Sequence, residues 1–291
     1  MHLGPLPAQF GYVKRGERVM KSILVYADGG KAFESRLQVA LDLARAQNGH
    51  ITFLQATPLS GFIVMDPMGG SYVPAGMLEQ LRADEEKLRA LVEAQMSIEG
   101  LPWDWTAYDG DVTQAVISAS RLADVIVLSL DNAERNVRPH PLLSIADVAV
   151  ETRCPVLAVP TTLKSLYTGG KILIAWDGSH EAANAARQAL PLLKNAGSVH
   201  LLTVVEPKKA AGFPSTEACE YLSRHGVCSE LIERERGLMS IEEIIENVAG
   251  EIGADLLVMG AFGHSRLREV LLGGVTRYFL KDSNIPLLLA H

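Results

Sequence analysis

The chain has 291 residues, of which 48% are hydrophobic and 21% are charged, and its formal net charge is −7. This length suits two domains of ordinary size, and the composition is typical of a well-packed globular protein. The acidic balance argues against the broad basic face that nucleic-acid binding requires, so we expect no nucleic-acid partner. No apolar run reaches the roughly 18 residues of a membrane helix, so we expect no membrane contact.

The N-terminal segment and the cysteines carry little signal. Residues 1–20 lack the continuous apolar core of a secretory signal, and we interpret them as a flexible arm that contributes little to stability. Cys154, Cys219 and Cys228 are too few and too scattered for a disulfide framework, and their spacing fits no metal site. We therefore expect free thiols, no bound metal and a reducing, cytoplasmic environment.

The strongest feature of the sequence is an internal repeat. SILVYADGG at 22–30 matches KILIAWDGS at 171–179. Further along the chain, ADVIVLS at 123–129 matches ADLLVMG at 254–260, and CPVLAVP matches IPLLLAH. Matches in the same order along the chain predict two homologous domains.

The repeat sets the predicted domain boundaries. It gives a first domain at 21–160, a linker at 161–169 and a second domain at 170–291. Between the matched aspartates the first copy is 18 residues longer than the second. We place the extra residues at 58–76, because this glycine- and proline-rich stretch is typical of an inserted surface loop.

Each copy alternates apolar strand patterns with helical periods. Nearly continuous apolar runs such as VHLLTVV are typical of central parallel strands that are covered on both faces. The alternation predicts an α/β fold of two tandem doubly wound domains, each a five-stranded parallel sheet with helices on both faces. The predicted strands of the second copy are 171–177, 198–205, 228–236, 255–260 and 285–290. Its predicted helices lie near 180–195, 215–225, 240–253 and 273–282.

Two glycine pairs bracket the connection from the fourth strand to the last helix of the second copy: Gly260 with Gly263, and Gly273 with Gly274. Glycines after a buried strand let the chain turn tightly and bring backbone N–H groups close to an anion. The second pair opens a helix whose first N–H groups and dipole favour a phosphate, and Thr276 adds a hydroxyl. Because doubly wound sheets bind ligands beyond the carboxyl ends of their strands, this connection predicts a phosphate site.

The spacing Gly260-x2-Gly263-x9-Gly273 resembles the ATP-binding signature of the universal stress protein family, and the strand that ends in Asp177 is similar to that family's first strand. The resemblance covers the chain from about residue 21 as two family domains. It implies an adenine nucleotide alpha hydrolase-like fold and a cofactor of ATP, or ADP or AMP, with Mg. The family signature has serine or threonine after the third glycine. This chain has Gly274 there, which loses a hydroxyl but keeps the backbone N–H.

The resemblance also implies a role for each site residue. Asp177 would lie at the adenine end, and Val204 would line the adenosine pocket. Arg266 would be the natural charge partner of a phosphate, and His264 a hydrogen-bond donor rather than a catalytic base. The residues that would wrap the ribose and phosphates are Gly260, Gly263, Gly273, Gly274 and Val275.

The first copy has lost every glycine of this connection. The residues that correspond to the four glycines are Ser129, Asn132, Leu142 and Leu143. The same stretch carries two prolines, which lack N–H donors, although Asp28 is kept at the position of Asp177. We therefore expect the first domain to be a structural partner, or a pocket for a ligand other than a triphosphate.

The sequence contains no P-loop, Rossmann or nucleophile-elbow motif, and no residue is identified as a general base. It favours a cytoplasmic, nucleotide-responsive stress regulatory module that hydrolyses ATP slowly at most. One alternative is an interaction module that binds no nucleotide and acts through protein contacts or a small ligand in the first domain. A true ATP-consuming enzyme is a third. The resemblance implies that the two domains pair through their last strands as an intramolecular pseudo-dimer, and a homodimer of two chains is compatible with it.

Overall fold

A computed structural model describes residues 19–59, 63–65, 71–72, 74–130, 144–205, 214–261 and 274–291. The first half of the chain contains β1 (Ser22–Tyr26), α1 (Phe33–Gln47), β2 (His50–Thr57), β3 (Val64–Met65), β4 (Ser71–Tyr72), α2 (Ala75–Glu99), β5 (Trp103–Asp109), α3 (Val112–Ala119), a 3-10 turn (Ser120–Leu122), β6 (Val125–Ser129), α4 (Ile145–Glu151) and β7 (Val156–Val159). The second half contains β8 (Lys171–Trp176), α5 (His180–Leu193), β9 (Ser198–Val205), α6 (Ser215–Arg224), β10 (Ser229–Glu235), α7 (Ile241–Ile252), β11 (Leu256–Gly260), α8 (Gly274–Asp282) and β12 (Leu287–Ala290).

Ten of the described strands form one sheet in the order β10-β9-β8-β11-β12-β7-β6-β1-β2-β5. Within each half the neighbouring strands are parallel, and the first strand of that half lies in the middle. In each half, the next two strands of the sheet along the chain lie on one side of this first strand, and the last two lie on the other side. The gap between the first and fourth strands is therefore the topological switch point of a doubly wound sheet. The predicted fold class is confirmed.

The two half-sheets meet at β7 and β12, which pair antiparallel. Leu157 lies opposite Leu288, with one further pair on each side, and both strands are buried along their whole length. Strands covered on both faces in this way explain the continuous apolar runs at the end of each copy. The last strands thus pair within one chain, as the resemblance implies.

Helices cover the two faces of the sheet as two layers. Side chains of α1, α2, α5 and α6 pack on one face, and side chains of α3, α4, α7 and α8 pack on the other. Neighbouring residues of a strand belong to opposite layers, as with Leu201 and Leu202. Each layer contains residues from both halves, so the apolar core is continuous across the junction. None of the helices that the structure describes is long and apolar enough to cross a membrane.

The linker packs against the first domain. The Leu166 side chain is buried in the layer that contains α1 and α5, and its N–H donates to Asp42 Oδ2 of α1 at 2.8 Å. Ser35 Oγ, also on α1, donates to the Thr161 carbonyl at 2.8 Å. These contacts attach the start and the middle of the predicted linker to α1.

Two expectations from the sequence need correction. Met20, which we assigned to the N-terminal arm, is 1% exposed and belongs to the core, while residues 1–18 lie outside the described residues. The extra length of the first copy is not mainly a surface loop. The helix α2 has 25 residues where α6 of the second copy has 10, and the described part of 58–76 contains the antiparallel strands β3 and β4. Most of the extra length thus belongs to the helix α2.

Candidate functional site

The switch point of the second domain lies between the carboxyl ends of β8 and β11. The helix α5 leaves β8 on one face of the sheet, and α8 follows β11 on the other. The strand β9 flanks β8 on the side away from β11. Ligands of doubly wound sheets bind at this position, in the crevice outside the carboxyl ends of the strands.

The turn from β8 to α5 is rigid and presents Asp177. The Ser179 N–H donates to Asp177 Oδ1 at 3.0 Å, and Gly178 between them has a φ of 77°, which a glycine adopts without strain. Ser179 then caps α5, because its Oγ accepts from the Ala182 N–H at 3.1 Å. Asp177 is exposed at the tip of the strand, where the sequence predicts the adenine end of the site.

Val204 contributes an apolar wall beside Asp177. It is half-buried near the end of β9 and packs in the same layer as Ala175 of β8 and Val275 of α8. Sequence reasoning missed a second apolar group here, Met239 after β10. A chain of hydrogen bonds, Met239 N–H to Arg236 O and Arg236 N–H to Val205 O, both 3.1 Å, holds Met239 near the end of β9.

Gly260 is required by packing between β11 and α5. A Cβ at this position would lie 2.6 Å from the backbone nitrogen of Ala182 and 2.7 Å from the carbonyl carbon of Glu181. No real side chain tolerates such distances to backbone atoms, so a larger residue would push β11 and α5 apart. The next residue, Ala261, is fully buried, and its N–H donates to the Ala290 carbonyl at 2.8 Å.

The helix α8 is described from Gly274 onward and follows β11 along the chain. Gly274 is exposed and Val275 is half-buried. Thr276 is only 4% exposed, so its side chain packs into the domain rather than toward solvent. The Glu242 carboxylate lies near the helix start, since a Cβ at Gly274 would be 3.3 Å from its Oε1.

Four predicted site residues lie outside the described residues: Gly263, His264, Arg266 and Gly273. The structure brings the other predicted residues to one edge of the second domain: Asp177, Val204, Gly260, Gly274, Val275 and Thr276. In the described part of the chain, no group of three or more histidine, cysteine, aspartate or glutamate side chains could hold a metal ion.

The same crevice in the first domain contains an arginine that the sequence analysis overlooked. The Arg36 side chain rises from α1, and its Nη2 donates to Asp28 Oδ1 at 2.5 Å. Its Nη1 donates to Ser129 Oγ at the end of β6, at 2.9 Å. Arg36 is 3% exposed, and Asp28 is half-buried rather than exposed like Asp177. The repeat alignment could have revealed this difference, because it places Arg36 of the first copy opposite Ala185 of the second.

Comparison with known proteins agrees with this architecture. A model described as "Universal stress protein family" matches residues 169–291. The chain is 35% identical over 151 residues to Universal stress protein Sll1654 of Synechocystis sp., an alignment that covers 47% of this chain and 94% of that protein. It is 31% identical over 146 residues to Universal stress protein Slr1230 of the same organism, 46% of each, and so spans about half of that relative's length.

The fold as a whole is also found in a solved structure. The chain superposes on a universal stress protein from Archaeoglobus fulgidus DSM 4304 with a TM-score of 0.71 and 18% sequence identity. That superposition covers 93% of this chain and 98% of the other, so both halves and their junction are shared. The 35% identity to Sll1654, matched over 94% of that relative's length, shows that the chain belongs to the universal stress protein family.

Proposed function

We propose that the second domain binds an adenine nucleotide, ATP or else ADP or AMP, in the crevice between β8 and β11. The observation that carries this proposal is that α8, described from Gly274 onward, follows β11 at the switch point. The first N–H groups of a helix have no partner within the helix, and its dipole favours negative charge. A phosphate placed there would receive several backbone hydrogen bonds.

The opposite end of the crevice suits a nucleoside. The half-buried side chains of Ala175 and Val204 offer an apolar surface for an adenine ring. Asp177 places a carboxylate at the strand tip, and a carboxylate accepts hydrogen bonds from the adenine amino group or from ribose hydroxyls. Mg²⁺ would enter bound to the phosphates, because the described residues offer no cluster of metal ligands.

The proposed role is regulatory, in the cytoplasm, with nucleotide occupancy as the signal. The groups assigned to the site are backbone N–H groups, apolar walls and one strand-tip carboxylate, which bind and orient a nucleotide. None of them is assigned as a general base, so we expect turnover slower than about one per minute, far below the common range of enzymes. Association of two chains into a homodimer is part of the proposal and is tested by light scattering with and without nucleotide.

The test is calorimetric titration of ATP, ADP and AMP, with Mg²⁺, into the parent chain and two variants. Gly263→Val should abolish binding, because a branched side chain in the glycine turn fills the space of the phosphate. Asn132→Val places the same side chain at the matched position of the first domain and should leave the affinity unchanged. Mass spectrometry of the purified protein would identify a nucleotide that copurifies.

The expected stoichiometry is one nucleotide per chain. No binding to the parent chain would mean that Gly274 marks a site that has lost its ligand, and the protein-contact alternative would replace the proposal. Two nucleotides per chain would mean that the first domain also binds nucleotide.

A further inference from the structure

The two domains can be compared position by position at the switch point. Strand register makes Ser129 of β6 equivalent to Gly260 of β11, because each ends the strand that pairs with the first strand of its half. The helices α1 and α5 share six buried positions in the same alignment, among them Arg36 and Ala185. The alignment therefore holds for the side chains that face the crevice.

Three small residues of the second domain are replaced by larger ones in the first. Ala175, Ala185 and Gly260 correspond to Tyr26, Arg36 and Ser129. The larger residues contact one another: the Arg36 guanidinium carbon lies 5.6 Å from the centre of the Tyr26 ring and its Nη1 bonds to Ser129 Oγ. The first domain thus has Arg36 between α1 and the ends of β1 and β6, whereas in the second domain α5 lies directly against β11 at Gly260.

The hydrogen bonds of Arg36 resemble those of a bound guanidinium ligand. Its Nη2 pairs with Asp28, its Nη1 with Ser129, and the Phe33 ring lies 5.7 Å away. Ser129 is itself oriented, because its Oγ donates to the Ala32 carbonyl at 3.2 Å. The Nε, which is also buried, has no acceptor among the described residues. A planar guanidinium offers several donors in a fixed fork, which a lysine in its place could not match.

Burial explains why this arrangement needs both partners. A guanidinium that is 3% exposed is stable only when a carboxylate neutralises it, and Asp28 at the tip of β1 does so. In the second domain the equivalent helix position is Ala185, whose methyl group cannot reach Asp177. The aspartate present in both copies thus faces an internal cation in the first domain.

We propose that Arg36 is a built-in occupant of the first domain's crevice. Its guanidinium joins α1 to the carboxyl ends of β1 and β6, and the first domain is held in its folded, filled form without any ligand. Because these contacts lie in the first domain, the proposal does not rest on the nucleotide site proposed for the second domain.

Arg36→Ala in the full chain tests the proposal, with Arg45→Ala on the same helix as the matched control. Removing one partner of a buried ion pair should lower the melting temperature by about 5–10 °C in a domain of this size. Arg45 is 45% exposed, so its removal should change the melting temperature by less than about 2 °C. Hydrogen exchange should localise the loss to β1 and β6.

Small cations then distinguish occupancy of a site from general stabilisation. Methylguanidinium at about 20 mM should restore at least half of the lost melting temperature in Arg36→Ala, and should not change the parent chain or Arg45→Ala. Methylammonium, which carries the charge without the fork, should not restore it. An unchanged melting temperature in Arg36→Ala, or no rescue by methylguanidinium, would overturn the proposal.

If Arg36→Ala does not fold, a milder variant can still test the proposal. Ser129→Ala removes one of the two hydrogen bonds and should reduce protection from hydrogen exchange at the ends of β1 and β6 severalfold. Unchanged protection there would contradict the proposal. None of these readouts involves a nucleotide, so a failure of nucleotide binding in the parent chain would refute the proposed function and leave the result for Arg36 standing.

Discussion

The carboxyl-end crevices of the two domains are built from equivalent positions but hold different side chains. In the first domain Arg36 joins Asp28 to Ser129 beneath the sheet edge. In the second domain α5 contacts β11 directly, because Gly260 has no side chain to separate them. The two edges teach that a repeat can keep its core while the side chains at its ligand edge diverge.

The cores of the two domains have diverged much less. The first strands of both halves are continuous apolar runs, and α1 and α5 bury equivalent positions. The two core layers cross the β7–β12 junction, so a change of volume in either core is felt by both halves. We expect the following experiments to sharpen or break this contrast between a shared core and divergent edges.

The largest effect should come from nucleotide itself. At a hundredfold excess over its dissociation constant, Mg-ATP should stabilise the second domain by about 2.7 kcal/mol, because only the native state binds it. Hydrogen exchange should show this protection at β8 and β11 and little at β1 and β6. Equal protection of both pairs of strands would remove the proposed asymmetry.

Gly260→Ala should destabilise the second domain by about 2 kcal/mol, because its Cβ would overlap the backbone of α5. Gly250→Ala is the matched control in the same domain. Nothing lies within 4 Å of a Cβ at Gly250, so alanine there should stabilise α7 by about 0.5–1 kcal/mol. Urea unfolding measures both changes. A neutral Gly260→Ala would show that the edge of the second domain is as tolerant as that of the first.

Ser179→Ala should cost about 1 kcal/mol, because the first turn of α5 loses the hydroxyl that accepts from the Ala182 N–H. Ser179→Thr keeps a capping hydroxyl and should be close to the parent chain. The first domain has Gly30 at the equivalent position, so this cap is a feature of the second domain. Thermal unfolding of the two variants measures the difference, and equal losses for alanine and threonine would argue against the cap.

The last prediction compares the reactivity of two cysteine thiols and involves no change in stability. Burial, with a smaller contribution from the nearby Asp124 carboxylate, raises the pKa of Cys154 in the first domain to about 12. At pH 8 its reactive thiolate fraction is therefore on the order of 10⁻⁴. Cys228 of the second domain is exposed and should react with a maleimide within minutes. Labelling of Cys154 in the native protein at a similar rate would show that the first domain opens more readily than its packing indicates.

Periodicity and repeat matching predicted the architecture because both depend on local pattern. Continuous apolar runs specify strands covered on both faces, and the matched segments fix which strand of one half is equivalent to which of the other. The predicted strands of the second copy agree with the observed ones to within a few residues. The same reasoning misplaced the extra length of the first copy, because α2 is a partly exposed helix whose apolar stripe is weak.

The glycines of the second domain were also visible in the sequence, but their reasons were not. Pattern alone assigned Gly260 to phosphate contact, whereas the structure shows that the first turn of α5 lies too close for any side chain. Thr276 was expected to offer a hydroxyl, and the structure buries it. The sequence gives the residue at each position. The neighbours that require a glycine at 260 belong to α5, which is distant in the chain.

The sequence by itself determined the number of domains, their fold class and the second domain as the one with a glycine-rich strand-to-helix connection. These features depend on residues near one another in the chain. Only the tertiary structure decided that Arg36 fills the first domain's crevice, because that contact joins α1 to the ends of β1 and β6. Ser129 lies 93 residues from Arg36 along the chain, and folding into a parallel sheet brings them to the same edge.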